Sequence, residues 1–231
     1  MTTAPAPRPK HPPGTQGPTA RPDLNRLGEV TLRSDRLRMM DRAAASAGGD
    51  PLWRARKLAE GRDLLALSQV CPPDRMVVQT LDLHDDLRAV LSLRVPVPLS
   101  PGPDGRLHTA DHALVGLVYP RALISQPVPG TSLACLLWPA HDAFHPNIAV
   151  QRGQPLCFGT QVPVGFPARE LVLAAYALLG LQNVMLDPED PAGVLNERAA
   201  TWWQARQDLI PLTKTPFFGE DADYEPGESQ R

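Results

Sequence analysis

Cysteine is scarce in this chain of 231 residues, which contains only Cys71, Cys135 and Cys157. Because the three are widely spaced and odd in number, and no CxxC pair occurs, the sequence argues against a disulfide framework and fits a reducing cytoplasm. Long apolar runs are missing as well, and without a stretch of about 18 apolar residues we expect no membrane span. The N-terminal residues contain no apolar signal core, so we expect no secretory leader.

A strong charge of either sign is also absent. The formal net charge is −2 at pH 7, so bulk electrostatics favour neither a nucleic acid nor an anionic membrane as a partner. The six histidines have no cysteine or carboxylate partners at ligand spacing, and we therefore expect no metal site. A chain of this length is long enough for one domain with a substantial core.

Composition divides the chain into three parts. Residues 1–22 hold seven prolines and three basic residues without an acid, a composition that cannot bury enough apolar surface to fold. We therefore predict a disordered tail over 1–29. From Gly219 onwards five acids stand against one base, which predicts a second, acidic tail over 218–231. The folded domain is predicted over 30–217.

Two helices are predicted at the start of this domain. The first runs over 34–47 and ends at a Gly-Gly pair. Asp50 caps the second, which has Pro51 at its first position, and Pro72 prevents its continuation. The apolar residues of the second helix that fall on one face, and that we expect to face the core, are Leu52, Ala55, Leu58 and Ala59.

Four strand-like runs follow. Near the C-terminal end the apolar residues again recur at the spacing of a helix. The runs cover residues 76–83, 88–97, 112–119 and 132–138. Short connections between them favour an antiparallel meander over a parallel sheet. Residues 168–182 predict a buried helix and residues 196–209 a further one. N-terminal helices, a four-stranded antiparallel meander and C-terminal helices make an α+β fold.

The tripeptide His145-Pro146-Asn147 stands between the fourth strand and Cys157. Proline fixes its own φ and biases the preceding residue to an extended conformation, so the tripeptide predicts a fixed turn. We interpret Cys71 and Cys135 as small apolar core residues. Cys157 lies instead in a connection rich in glycine and proline, and loops carry reactive side chains more often than cores do.

This order of elements resembles the catalytic core of ubiquitin-conjugating enzymes, in which a His-Pro-Asn turn precedes the cysteine that carries ubiquitin, or a ubiquitin-like protein, as a thioester. The resemblance covers about residues 34–209 and implies the ubiquitin-conjugating fold. It implies a transferase that receives a ubiquitin-like protein from an activating enzyme and passes it to a lysine of a target protein. Thioester exchange of this kind needs no metal and no bound cofactor.

The chain departs from the common pattern of that family in three ways. The spacing from Asn147 to Cys157 is a couple of residues longer, the tryptophan usual shortly after the cysteine is absent, and a second helix precedes the sheet. These features fit a divergent, bacterial member. Bacterial relatives often lie in operons beside an activating enzyme and a ubiquitin-like protein, and several such systems act against phage, which implies antiviral defence by analogy.

The resemblance assigns roles to four residues. Cys157 is the nucleophile. Asn147 donates its side-chain amide to the oxyanion formed when an amine attacks the thioester, or it fixes the loop that holds the site. His145 orders the turn by hydrogen bonding rather than acting as a base. Asp190 is the acidic residue that orients and desolvates the incoming lysine.

The assignment of Asp190 has alternatives within the same DPEDP loop. Asp187 and Glu189 are rival candidates for the gating carboxylate. A structural alternative is that these acids stabilise the N-terminus of the following helix.

Lysine is scarce beside arginine, with Lys10, Lys57 and Lys214 against twenty arginines. A GC-rich genome favours arginine codons and explains this composition. The functional alternative, which we favour less, is that a protein carrying a lysine-seeking thioester benefits from few lysines of its own.

Two rival functions follow from the same residues. One is a binding module of the same fold that has lost catalysis, although such relatives generally lack the active cysteine. The other is a cysteine hydrolase that uses Cys157 with His141 or His145 as its base. The fate of the acyl group separates them, because a carrier holds it, a hydrolase releases it and an inactive module never accepts it.

Overall fold

The computed structural model describes residues 22–139, 142–151, 153–190 and 193–219. Helices stand at both ends of this part of the chain with the strands between them, and none of its helices combines the length and apolar character needed to span a membrane. In chain order the elements are a 3₁₀ helix Leu24–Glu29, α1 Ser34–Ser46, α2 Pro51–Val70, β1 Met76–Asp82, β2 Leu87–Leu93, β3 Val97–Leu99, β4 His108–Ala110, β5 Ala113–Tyr119, a 3₁₀ helix Arg121–Ile124, β6 Val128–Pro129, β7 Ala134–Trp138, β8 Gln161–Val162, α3 Ala168–Leu179, α4 Glu197–Gln204 and a 3₁₀ helix Gln207–Leu209.

The central sheet is an antiparallel meander in the order β1-β2-β5-β7. Successive residues alternate between a buried face and a more exposed one, as the pleat requires. Leu91 of β2 stands opposite Val115 of β5, and both are buried. The α+β class and the four-stranded meander predicted from the sequence are confirmed.

The strand predicted over 88–97 is divided in the structure. β2 ends at Leu93, and β3 pairs with β4 in a separate two-stranded hairpin. Pro96 and Pro98 lack the backbone N–H that a central strand donates, so the chain leaves the sheet before them. The hairpin then supports the site, because the Phe144 N–H donates to the Pro98 carbonyl at 2.8 Å.

Helix α2 packs on the sheet with a different face from the one predicted. Leu52 is 73% exposed, and Ala55 and Ala59 are exposed as well. Only Leu58 of the predicted stripe packs partly against the core. The predicted inner face of this helix is therefore wrong.

The buried face of α2 centres on Trp53 and Lys57. The Trp53 indole N–H donates to the Asp85 carbonyl at 3.0 Å. The Lys57 side chain is fully buried, and its ammonium group donates at 2.6, 2.9 and 2.8 Å to three successive carbonyls, those of Leu83, His84 and Asp85. Three acceptors compensate the ammonium for its lost hydration. This satisfied lysine is the reason that a charged residue faces inwards while Leu52 faces solvent.

Helix α3 is held at its N-terminus by a carboxylate from α2. The Ala168 N–H donates to Glu60 Oε2 at 2.7 Å, and Arg56 pairs with Glu60 at 2.6 Å. Pro167, at the N-cap position, offers no side-chain cap, so Glu60 supplies the acceptor that the helix terminus lacks. The predicted C-terminal helices are confirmed, with α3 and α4 both shorter than expected.

The folded part extends beyond both predicted boundaries. Leu27, on the first 3₁₀ helix, is only 1% exposed in the core, so assigning residues 22–29 to a tail was wrong. At the other end Phe218 packs against the core, and Arg75 donates to the Gly219 carbonyl at 3.2 Å. The remainders of the two predicted tails, 1–21 and 220–231, lie outside the described residues.

Candidate active site

The segment from Asn147 to Cys157 forms a hairpin. The Cys157 N–H donates to the Asn147 carbonyl at 2.9 Å, and the Ala149 N–H donates to the Pro155 carbonyl at 3.1 Å. The ten positions from Asn147 to Cys157 are therefore the length of one hairpin. The hairpin brings the backbones of the two residues directly together.

This hairpin is joined to the central sheet through β7. The Leu136 N–H donates to the Gln154 carbonyl at 2.9 Å, and the Leu156 N–H donates to the Ala134 carbonyl at 3.0 Å. The pairing covers part of the outer edge of β7 and fixes the position of Cys157 relative to the sheet. A side chain that follows a paired segment is held more firmly than one in an open loop.

His145 orders the turn and is fully buried. Its Nδ1 accepts the Asn147 N–H at 3.0 Å, and its Nε2 lies 2.7 Å from the Leu178 carbonyl. Because Nδ1 accepts a hydrogen bond, the proton of the neutral ring is on Nε2 and is donated to Leu178. Burial lowers the pKa of His145 to about 4, so the ring is neutral at pH 7. His145 therefore hydrogen-bonds to both Asn147 and Leu178 as a neutral ring, and it is not available as a base.

The side-chain amide of Asn147 ties the turn to the loop that precedes α4. Its Nδ2 donates to the carbonyls of Met185 at 3.0 Å and of Gly193 at 2.6 Å. Its Oδ1 accepts the Met185 N–H at 3.0 Å. Both amide hydrogens are thus directed at loop carbonyls. Of the two roles considered for Asn147, this geometry is that of the residue that fixes the loop.

The Cys157 side chain is only 8% exposed, and its thiol donates to the Gly159 carbonyl at 3.7 Å. Burial has the largest effect and raises the pKa of the Cys157 thiol, a backbone hydrogen bond at Gly159 lowers it, and the Asp190 carboxylate raises it. The cysteine is therefore mostly protonated at neutral pH, a state that suits a carrier better than a highly activated nucleophile.

The acidic loop places its three carboxylates differently. Asp190 is half-buried, whereas Asp187 and Glu189 are exposed. Asp187 Oδ1 accepts the Glu189 N–H at 2.9 Å within the loop. Helix α4 is capped by Asn196, whose Oδ1 accepts the Ala199 N–H at 3.1 Å. The acids therefore do not cap that helix, and Asp190 is the one whose charge acts on Cys157.

The two other cysteines lie on regular elements. Cys71 is the buried C-cap residue of α2. Cys135 lies within β7 opposite Gly116. Burial raises the pKa of both thiols, in keeping with their interpretation as small apolar residues.

Several residues of this arrangement were not singled out by the sequence. Gly193 is one of them, since a Cβ at this position would overlap the Met185 side chain while its carbonyl accepts from Asn147. Leu178 contributes only its backbone carbonyl, which no residue pattern reveals. Gly130 is another, since its carbonyl accepts the Phe158 N–H at 3.4 Å, one residue after Cys157; its Pro-Gly pair predicts a turn but not this partner.

Comparisons with known proteins add no assignment to this geometry. No family model matches the chain, and no curated protein or solved structure does so either. Within the described ranges, no three histidine, cysteine, aspartate or glutamate side chains are grouped so that they could hold a metal ion. The functional interpretation therefore depends on the arrangement around Cys157.

Proposed function

We propose that this protein carries a ubiquitin-like protein as a thioester on Cys157, receives it from an activating enzyme and transfers it to a target amine. The observation that carries the proposal is the hairpin that sets Cys157 against Asn147 at the edge of a four-stranded meander. The loop tied down by Asn147 leads to Asp190, whose charge acts on the thiol. On this proposal the α+β architecture is a divergent form of the ubiquitin-conjugating fold.

The proposed reaction has two steps. In the first, the Cys157 thiolate attacks the thioester carbonyl on the activating enzyme, a new carbon–sulfur bond forms and the activating enzyme's cysteine leaves as a thiolate. In the second, a target lysine amine attacks the Cys157 thioester. An isopeptide bond forms, the Cys157 thiolate leaves, and the amine releases a proton.

Three side chains support this chemistry in different ways. His145 holds the turn as a neutral ring. Asn147 holds the loop, so it acts through the position of that loop. Asp190 offers a carboxylate that attracts the lysine ammonium group and accepts its proton, and its half-buried position strengthens that attraction relative to an exposed acid.

The hydrolase alternative requires a base for Cys157. Both ring nitrogens of His145 are engaged, by the Asn147 N–H and the Leu178 carbonyl, so this histidine cannot accept the thiol proton in this geometry. His141 lies outside the described residues. The alternative of an inactive binding module is separated by the charging assay, because such a module never accepts the modifier.

The decisive experiment is a charging assay. The protein is mixed with ATP, an activating enzyme and the ubiquitin-like protein which that enzyme activates, and adducts are separated on non-reducing gels. We expect a reductant-sensitive adduct with the wild-type chain, Cys71→Ala and Cys135→Ala, and no adduct with Cys157→Ala. An adduct that persists in Cys157→Ala would reject Cys157 as the carrier, and release of free modifier without an adduct would favour the hydrolase.

A further inference from the structure

The loop after Cys157 contains a β-bulge. β6 and β8 pair in register through Val128 and Val162, and the Gly130 N–H continues the ladder to the Thr160 carbonyl at 3.3 Å. The Phe158 N–H then donates to the Gly130 carbonyl at 3.4 Å. Phe158 and Thr160 therefore both bond to Gly130, and the residue between them is the extra residue of the bulge.

That extra residue is Gly159, with φ +96°. A bulge of this kind redirects the neighbouring side chains, and bulges are common beside active sites. Here the redirected carbonyl is the one that accepts the Cys157 thiol. The bulge therefore determines where the acceptor of the thiol proton lies.

The Gly159 carbonyl rests directly on the α-carbon of Gly130. A Cβ built on Gly130 would overlap the Gly159 carbonyl oxygen and lie 3.0 and 3.1 Å from the Gly159 carbonyl carbon and nitrogen. All three atoms belong to the backbone, so no side-chain rotation relieves the overlap. We propose that Gly130 is a positioning residue for Cys157: the missing side chain at position 130 lets the Gly159 carbonyl hold the thiol in its buried place.

The two glycines are needed for different reasons. At Gly159 a Cβ would meet nothing within 4 Å, so this position requires glycine only for its positive φ. Gly130 has no positive φ, and it requires glycine only for the close approach. Replacing either one moves the same carbonyl, by steric displacement at Gly130 and by backbone strain at Gly159.

The inference rests on the proposed function only in taking Cys157 as the acyl carrier. A thiol fixed at one point meets the incoming thioester and later the acceptor amine in the same geometry, which proximity catalysis demands. Gly130 touches none of the reacting atoms, so its effect must be measured on the thiol itself.

The experiment measures alkylation of Cys157 by iodoacetamide in the full chain, with the modified peptide quantified by mass spectrometry between pH 6 and pH 9. We expect Gly130→Ala to release the thiol from its buried position, so that the alkylation rate at pH 7 rises by roughly threefold or more and its pH profile changes. Gly48→Ala is the matched control, because a Cβ there meets the His84 carbonyl oxygen at 2.9 Å, far from Cys157 in sequence and outside its hairpin. This control should keep the wild-type rate and profile.

A rate and pH profile in Gly130→Ala equal to those of Gly48→Ala would overturn the proposal. If Gly130→Ala does not fold, as judged by equally fast alkylation of all three cysteines, Gly159→Ala provides the test against Gly105→Ala. Gly105 has φ +74° and, like Gly159, nothing within 4 Å of a Cβ, so the backbone strain is matched. An unchanged Cys157 profile in Gly159→Ala would overturn the proposal as well.

The alkylation assay needs no modifier and no activating enzyme. A wild-type chain that never accepts a modifier, but whose Cys157 reactivity depends on Gly130, would reject the proposed function and leave this inference standing. Normal charging, together with a Cys157 alkylation rate and pH profile that do not change in Gly130→Ala, would support the proposed function and overturn this inference.

Discussion

The amide of Asn147 donates to the carbonyl oxygen of Gly193 at 2.6 Å, although the two residues stand 46 positions apart. This bond and its partner to Met185 tie the turn before Cys157 to the loop that leads into α4. The tie joins two segments that are distant in the sequence. Both amide hydrogens of Asn147 are directed at carbonyls. The geometry therefore favours the role of fixing the loop over the role of donating to an oxyanion.

The first prediction concerns the strength of this tie. Asn147→Ala removes both amide donors and leaves loop carbonyls without their partner, so we expect the free energy of unfolding to fall by about 2 kcal/mol. The Met185 amide, which donates to Asn147 Oδ1, should exchange its hydrogen much faster. Denaturant unfolding and hydrogen exchange measure the two effects.

Replacing the exposed Asn183 by alanine is the control for Asn147→Ala, because it alters the same loop without touching the tie. On the proposed function, charging of Cys157 should persist in Asn147→Ala while transfer to lysine slows. Slower transfer with unchanged Met185 exchange would instead favour the oxyanion role, for which one lost donor costs on the order of a hundredfold.

The second prediction is a loss of stability in mild acid through His145. Its pKa is about 4 in the folded chain, against about 6.5 for an unperturbed histidine. The unfolded chain therefore binds the proton first as the pH falls, and the stabilisation present above pH 6.5 is lost between pH 6.5 and pH 4. Between pH 7 and pH 5 we expect the free energy of unfolding to drop by about 2 kcal/mol from this group alone.

Unfolding at pH 7, 6 and 5 tests this histidine effect against His145→Gln, which has no ring to titrate. The variant should be less stable at pH 7, yet it should lack the His145 contribution to the slope. His108→Gln, at an exposed position, should keep the wild-type slope. A slope unaltered by His145→Gln would contradict the assignment of a buried neutral ring.

The third prediction concerns the buried ammonium group of Lys57. Lys57→Met keeps the length of the side chain but leaves three carbonyls of the β1–β2 turn without their donor. We expect a loss of about 3 kcal/mol in the free energy of unfolding. Lys214→Met, at an exposed position, should change it by less than about 0.5 kcal/mol. A Lys57→Met chain as stable as the wild type would mean that the carbonyls find water instead.

The fourth prediction compares two leucines. Leu27 is 1% exposed and Leu52 is 73% exposed, the opposite of what the sequence pattern suggested. Leu27→Ala should lower the free energy of unfolding by about 3 kcal/mol through a lost core contact, whereas Leu52→Ala should change it by less than about 0.5 kcal/mol. Equal effects in a thermal or urea unfolding experiment would argue against the placement of the first 3₁₀ helix.

These leucines show which features of the fold can be predicted from the sequence and which cannot. Apolar periodicity, the Asp50 cap and the prolines predicted the helices and the four-stranded meander, because such signals are local. The orientation of α2 depends on whether the Lys57 ammonium finds acceptors, and those acceptors are carbonyls on a turn that only the folded chain brings near. Residues 22–29 were misassigned for the same reason, since the core contact of Leu27 is made with distant elements.

Some features of the candidate site can be predicted from the sequence, and others depend on the fold. The order of His145, Asn147 and Cys157 predicted a turn and a nearby cysteine, and the hairpin places them together. Backbone carbonyls carry most of the remaining structure, among them those of Leu178 and Gly193, and a carbonyl has no signature in the sequence. The three acids of the DPEDP loop are alike in the sequence, and only the folded chain shows that Asp190 is half-buried while Asp187 and Glu189 are exposed.

The last prediction uses that distinction. The Asp190 carboxylate raises the pKa of the Cys157 thiol, so Asp190→Asn should lower the thiol pKa and speed alkylation of Cys157 at pH 7, by on the order of twofold. On the proposed function the same change should slow acyl transfer to lysine by about a hundredfold, because the incoming amine loses its proton acceptor. Glu189→Gln is the matched control, since it removes one negative charge from an exposed position in the same loop, where solvent and salt screen it, and it should leave both rates at the wild-type values. Equal effects of the two substitutions would show that the loop acts through its total charge, and an Asp190→Asn chain with unchanged transfer would remove Asp190 from the proposed site.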